Sequence, residues 1–127
     1  MTWVATRRGQ GEYRRALLAL WENRCAVTGC KVHAALRASH AVAWCDALSE
    51  QRLDPHNGLP RLASHDALFD VGLIGFNDDG RVLCSPALDD ADRSLLQLPA
   101  PLRKQPNETQ RVYLRAHRNR FGLVQPR

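Results

Sequence analysis

The apolar residues near the N-terminus recur at the spacing of a helix. Tyr13, Leu17 and Trp21 are four residues apart, and Leu20 lies on the same side of the turn. This pattern predicts an amphipathic helix over about residues 10–23, with basic side chains on or beside its solvent face.

Extended segments are predicted further along the chain. Residues 24–28, closed by Gly29, favour a short strand and turn. Residues 72–76 and 81–85 flank a polar segment that ends in Asp79-Gly80, which predicts a β-hairpin.

The middle of the chain predicts a strand, a turn, a second strand and a helix. Residues 36–42 are apolar-rich and lack proline, so they are predicted to form a strand that carries His40. Asn57-Gly58 is a turn signal, because both residues tolerate positive φ. A short strand over 58–62 and a helix from about Ser64 complete a ββα arrangement.

Two more helices are predicted in the C-terminal third. They cover residues 88–98 and 108–121, and the connector between them is rich in proline, with Pro99, Pro101 and Pro106. There is no internal repeat. The chain therefore reads as one α+β domain over residues 1–127, with a core at about 24–85.

Composition places this domain among globular proteins. The chain has 127 residues, 44% of them hydrophobic, and no apolar run long enough to span a bilayer. The first four residues lack the apolar segment and cleavage pattern of a signal peptide. We therefore expect a cytoplasmic protein that does not bind membranes.

The charge balance favours a polyanionic partner. Lys and Arg total 18 against 13 Asp and Glu, which gives a net charge of +5 and a pI near 9.5. Many of the basic residues lie towards the two ends of the chain. The candidates for contacting nucleic acid are Arg14, Arg15, Arg115 and Arg118.

The ββα segment carries the residues that a one-metal phosphodiesterase needs. His40 could activate water, and the Asn57 amide could hold that histidine. If a helix begins near residue 65, Asp66 and Asp70 lie one turn apart and could bind one divalent ion.

Five motifs, in order, resemble the HNH endonuclease family. They are Cys25-Ala26-Val27-Thr28-Gly29, Ala38-Ser39-His40, Asp54-Pro55-His56-Asn57-Gly58-Leu59, His65-Asp66-Ala67-Leu68-Phe69-Asp70 and Gly72-Leu73-Ile74. The resemblance implies a ββα-metal (HNH) core with flanking N- and C-terminal helices and a β-hairpin. It also implies a metal-dependent nuclease acting on DNA.

The resemblance also implies a role for individual residues. His40 takes the place of the general base and Asn57 that of the residue that orients it. Asp66 and Asp70 match the one-turn spacing of the helix ligands best, and His65 is the competing ligand. Ser39 stands where an Asp or His ligand often precedes the base, and a hydroxyl is a poor ligand.

Simpler interpretations of the same residues remain open. Asp66 could be only a first-turn charge favoured by the helix dipole. The other histidines read as structural, and Cys25 and Cys30 as buried thiols, with a structural zinc site as the alternative. Pro60 fits only an edge strand or a break.

Three functions remain open from sequence. The first is a restriction-like DNA endonuclease, the second a binding module that lost the chemistry, and the third an antibacterial toxin domain. From the start methionine and the absence of a delivery region, we expect that the chain is not a toxin domain. Carboxylate ligands suit magnesium or manganese, whereas a histidine would let zinc or nickel compete. A separate specificity partner and a homodimer are both compatible with the sequence.

Overall fold

The structure, a computed structural model, describes residues 3–42, 47–98 and 100–123, without the side chains of residues 3–9 and Ser39. The fold is α+β, as predicted. Its elements are α1 (Trp3–Leu20), a 3₁₀ helix (His33–Ala35), β1 (Leu36–Ser39), α2 (Ser49–Leu53), β2 (Leu59–Leu62), α3 (Ala63–Asp70), β3 (Ile74–Phe76), β4 (Val82–Cys84), α4 (Asp90–Leu95) and α5 (Glu108–Phe121). Pro99 of the predicted connector lies outside the described residues.

The predicted ββα unit is present. Strands β1 and β2 pair antiparallel, with Leu36 opposite Leu62 and Ser39 opposite Leu59. Helix α3 begins at the residue after β2, so its first turn lies at the edge of this two-stranded sheet. The predicted hairpin is also present, because β3 and β4 pair antiparallel in a second sheet.

Strand β1 is shorter than predicted and ends before His40. The backbone of Val42 does not continue the strand, because both its N–H and its C=O form hydrogen bonds with the Asn57 side chain. Val42 N donates to Asn57 Oδ1 at 2.8 Å, and Asn57 Nδ2 donates to Val42 O at 3.3 Å. A side chain thus replaces the ladder partner, and the chain bends away from the sheet.

The connection from β1 to β2 contains a short helix that the periodicity does not reveal. Helix α2 covers only Ser49–Leu53, and its Leu48 amide is held by the Gln51 side chain at 2.8 Å. Five residues are too few to produce an apolar repeat. Asn57-Gly58 therefore joins α2 to β2 and does not close a hairpin between two strands.

The strand predicted at residues 24–28 is wrong, because this segment forms turns around a sulfur atom. Cys25 Sγ accepts from Val27 N at 3.4 Å and from Thr28 N at 3.3 Å. Burial alone would raise the pKa of this thiol, but these hydrogen bonds and that of the Thr28 hydroxyl lower it overall. Amides that point at one atom cannot also form a strand ladder.

The predicted bounds of the N-terminal helix and of the two C-terminal helices agree with the structure to different degrees. Helix α1 begins at Trp3, well before the predicted start near residue 10. It ends at Leu20, earlier than predicted, because Glu22 and Asn23 have φ values of 56° and 60°. Helix α4 is confined to Asp90–Leu95, and Gln97 follows it at φ 59°. Helix α5 has the predicted bounds, Glu108–Phe121, and ends at Gly122 with φ 64°.

The main hydrophobic core lies between the ββα unit, the hairpin and the terminal helices. Its members are buried apolar side chains of β2, α3, β3, α5 and the loops between elements, including Trp21, Leu59, Phe69, Ile74, Phe76 and Leu114. In the described part of the chain, no helix has the length and apolar character needed to cross a membrane.

Phe69 connects α3 to α5 through a stacked pair of rings. The His117 ring lies parallel to the Phe69 ring with centroids 3.5 Å apart, and His117 Nε2 donates to Phe69 O at 2.7 Å. Burial, together with the nearby charge of Arg61, lowers the pKa of His117 to about 4, although the hydrogen bond to Phe69 O opposes the shift. The histidine is therefore neutral in the folded protein at neutral pH.

Acid should destabilise the fold through His117. In the unfolded chain this residue takes up a proton near pH 6.5, whereas in the folded chain it does so only near pH 4. Stability is therefore lost as pH falls from about 6.5 to 4, by up to about 3 kcal/mol. Urea unfolding of the parent protein across this range should show the loss, and His117→Phe should remove much of it. The exposed His33, changed to Gln, is the control that should leave the loss in place.

Candidate active site

His40 lies immediately after β1, where its ring contacts both α1 and α2. Its ring stacks on Tyr13 of α1, with centroids 4.2 Å apart and planes 7° apart. His40 Nε2 lies 2.7 Å from the carbonyl oxygen of Arg52, in α2. The side chain is partly exposed, so one part of the ring faces solvent.

The partner of His40 determines its neutral tautomer. A carbonyl oxygen can only accept a hydrogen bond, so Nε2 carries the proton and Nδ1 carries the lone pair. The backbone of Arg52 thus sets the tautomer of the neutral His40 ring.

Asn57 is fully buried and its side chain fixes two segments that follow His40 in the chain. Besides its two bonds to Val42, its amide nitrogen donates to Gln51 O at 3.0 Å. Gln51 is the neighbour of Arg52, whose carbonyl binds the His40 ring. Asn57 therefore acts on His40 through the backbone: it joins the loop after His40 to the peptide that fixes its ring.

Tyr13 ties α1 to the same network. Its hydroxyl donates to Asn57 O at 2.6 Å, and its ring supports His40. Burial raises the pKa of Tyr13 well above its usual value, although the charge of Arg61 opposes the rise. The phenol therefore stays protonated at neutral pH and acts as a hydrogen-bond donor.

Asp66 and Asp70 lie one turn apart on α3 and influence each other. Burial raises the pKa of Asp70, and the charge of Asp66 adds to the rise, while Arg61 opposes it. Asp66 Oδ1 accepts from Arg61 Nη2 at 3.2 Å, so its carboxylate pairs with a side chain and does not cap the helix backbone. The two carboxylates form a negative pair along the ββα helix, with Asp66 in its first turn and Asp70 as its last residue.

His65 points into the protein. It is buried, and its Nε2 lies 2.8 Å from Leu96 O, after α4. Adjacent residues of a helix project about 100° apart, so His65 leaves the side that Asp66 and Asp70 share. Ser39 ends β1 opposite Leu59, and its side chain is not among those described.

The carboxylate pair fits a hard divalent cation better than a zinc site. In the described part of the chain, no three or more His, Cys, Asp or Glu residues form a group that could hold a metal ion. Two carboxylates suffice for Mg²⁺, which keeps several waters and takes further oxygens from a phosphate. The like-charge interaction that raises the pKa of Asp70 is one that a cation would relieve.

A groove beside His40 could receive a substrate. Its volume is about 330 Å³, and it is lined by Gln10, Tyr13, Arg14, Ala38 and His40. Arg14 donates to His33 O at 3.2 Å and to Leu36 O at 3.4 Å, which holds its charge at the rim of the groove. Arg15, its neighbour on α1, is exposed.

The two C-terminal candidates for nucleic-acid contact already have an anionic partner. Arg115 Nη2 and Arg118 Nη2 each lie 2.8 Å from an oxygen of Asp78. Arg118 is largely buried and also donates to Phe76 O at 2.7 Å. Arg118 therefore holds α5 against β3, whereas Arg115 remains exposed.

Two residues of this site were not identified from sequence. Tyr13 lies on the apolar face of the predicted N-terminal helix, where a core residue is also expected. Nothing but its position along that face sets it apart. Arg61 gave a weak signal as a charged residue within a short buried strand, where charge is unusual.

Comparison with known families gives one match. Residues 25–77 match the sequence model of the HNH endonuclease family. The matched region includes β1, β2 and α3, with His40, Asn57, Asp66 and Asp70, and it supports a nuclease-type function that acts on nucleic acid. Among curated proteins, none matches this chain.

Proposed function

We propose that this protein is a metal-dependent DNA endonuclease in which His40 is the general base. The observation that carries the proposal is the tautomer of His40, set by the Arg52 carbonyl within a segment that matches nucleases. His40 Nδ1 takes a proton from water, the water oxygen attacks phosphorus, and one phosphoester bond breaks. General bases contribute about a hundredfold to ten-thousandfold to such reactions.

Asn57 and Tyr13 act as positioning residues in this proposal. Neither changes its protonation state, and both help to keep the ring of His40, which lines the groove, in one plane. A ring that is held before the substrate arrives does not have to reorganise during the reaction.

Asp66 and Asp70 would hold the divalent ion. When bound, the ion would stabilise the negative charge that develops on the phosphate and the leaving oxygen. The proposed ions are magnesium or manganese, because the shared face of α3 offers carboxylates. Zinc or nickel would require His65 to turn away from Leu96 O.

A plasmid assay tests the proposal. Supercoiled plasmid should be nicked or linearised with Mg²⁺ or Mn²⁺, less well with Zn²⁺ or Ni²⁺, and not after addition of a chelator. Binding of plasmid without cleavage under every metal would contradict the proposal. That result would favour the alternative, a nucleic-acid-binding module without chemistry.

DNA binding should depend steeply on salt, because arginines that contact phosphates release bound counterions. Arg15 is the candidate to test, because it is exposed and is the neighbour of Arg14, which lies at the rim of the groove. Arg15→Gln should lower the slope of log affinity against log salt by about 1. The control is Arg81→Gln, the same charge change at an exposed, ion-paired residue before β4. Equal slopes for the parent and the Arg15 variant would remove Arg15 from the interface.

A further inference from the structure

Arg61 brings a positive charge to the carboxylate pair from inside the protein. It is the third residue of β2 and is fully buried. Its Nη2 donates to Asp66 Oδ1 at 3.2 Å, and its charge also acts on Asp70. The positive charge of Arg61 therefore lies next to the carboxylate pair that the divalent ion of the proposed function would need.

The rest of the Arg61 guanidinium has few polar contacts. Nε and Nη1 are buried, and neither has a hydrogen-bond partner among the described residues. Its central carbon lies 3.6 Å from the Phe69 ring centroid, a cation–π contact. Two groups cannot share one face of a ring at this distance, so His117 covers the opposite face. Asp66 is thus the only anion in hydrogen-bond contact with this charge in the described part of the chain.

We propose that Arg61 is a resident counter-cation that competes with the divalent ion for Asp66. This inference rests on the ion site of the proposed function. Arg61 and a divalent ion next to the same carboxylate repel each other strongly in a partly buried site. Ion binding should therefore weaken the Arg61–Asp66 ion pair, and the ion should bind weakly in the absence of DNA.

Because Arg61 competes with the divalent ion, the DNA substrate should help the ion to bind. A DNA phosphate adds negative charge and oxygen ligands next to the carboxylates, which offsets the extra cation. The ion and the DNA should therefore bind more tightly together than either does alone. Without them, Arg61 neutralises Asp66 and reduces the repulsion between the two carboxylates.

Calorimetric titration with Mn²⁺ and with Mg²⁺, without DNA, tests the competition directly. Arg61→Met should increase affinity for each ion by about tenfold or more, because it removes the competing charge. Arg61→Lys, which keeps the charge, is the control and should change the affinity much less. Equal affinities for the parent protein and Arg61→Met would overturn the inference.

A second measurement uses the unmodified protein, in case Arg61→Met does not fold. The Nε–H resonance of Arg61, assigned by its loss in Arg61→Lys, should shift as Mg²⁺ is added. The matching resonance of Arg103, whose Nε donates to Cys25 O at 2.8 Å, should stay in place. Bound Mg²⁺ without a shift at Arg61 would overturn the inference.

The outcomes separate this inference from the proposed function. Failure of both the parent and the Arg61→Met protein to bind ions would overturn both. Coupling between Arg61 and the ion without plasmid cleavage would leave this inference standing and would contradict the nuclease proposal.

Discussion

Replacement of His40 by alanine is expected to lower the rate of DNA cleavage by about a hundredfold to ten-thousandfold. The variant lacks the imidazole that we propose as the general base. It keeps the groove and its arginine, so DNA affinity should stay close to that of the parent. Plasmid nicking under single-turnover conditions, with a separate binding assay, measures the two effects.

The control for this change is His33→Ala, because His33 is exposed and lies before β1. The control should cleave like the parent. Unfolding curves of both variants show whether the lost stack on Tyr13 has weakened the fold. Comparable turnover by His40→Ala and the parent would remove His40 from the mechanism.

Replacement of Asp70 by asparagine is expected to separate activity from stability. Metal affinity and cleavage should both fall by about tenfold or more, because a charged ligand leaves a small shell. Stability should stay the same or rise slightly. The raised pKa of Asp70 means that its charge opposes folding at neutral pH, and this cost is absent from the amide.

Asp70 is a better test of the ion site than Asp66. Asp66→Asn would leave the buried Arg61 without its anionic partner, so a loss of activity could come from a loss of folding. Asp90→Asn, at an exposed carboxylate on α4, is the matched control. Unchanged metal affinity in Asp70→Asn would place the ion elsewhere.

The parts of the fold that sequence predicted are those with a repeated local signal. Helix α5 has a cap at Asn107, a stop at Gly122 and an amphipathic pattern between them, and its bounds were predicted correctly. The β3–β4 hairpin has turn residues between two apolar runs. In both cases, each residue favours the structure that it adopts.

The parts that sequence did not predict depend on contacts between distant residues. Strand β1 ends early because the Asn57 side chain forms hydrogen bonds with the Val42 backbone. No sequence pattern near Val42 predicts them. Cys25 lies in a turn because its sulfur accepts two amides. Local propensity cannot predict a hydrogen bond whose partner is set by the tertiary fold.

The same distinction applies to the candidate site. The motifs identified His40, Asn57, Asp66 and Asp70 as candidates, because the chemistry requires certain residue types at certain spacings. They did not identify Tyr13, which lies 44 residues from Asn57 and outside the matched region. They also missed Arg61, whose importance depends on its burial beside Asp66.

The connector before α5 has a consequence for the order in which the protein folds. The Arg103 side chain donates to the carbonyls of Cys25 and Trp21, across 78 and 82 residues of chain. Contacts between residues so far apart in the chain cannot form until the later residue has been synthesised. On the ribosome, the turn that leads into β1 therefore lacks these bonds until Arg103 has emerged. The candidate site should therefore reach its final packing only after the connector has been synthesised.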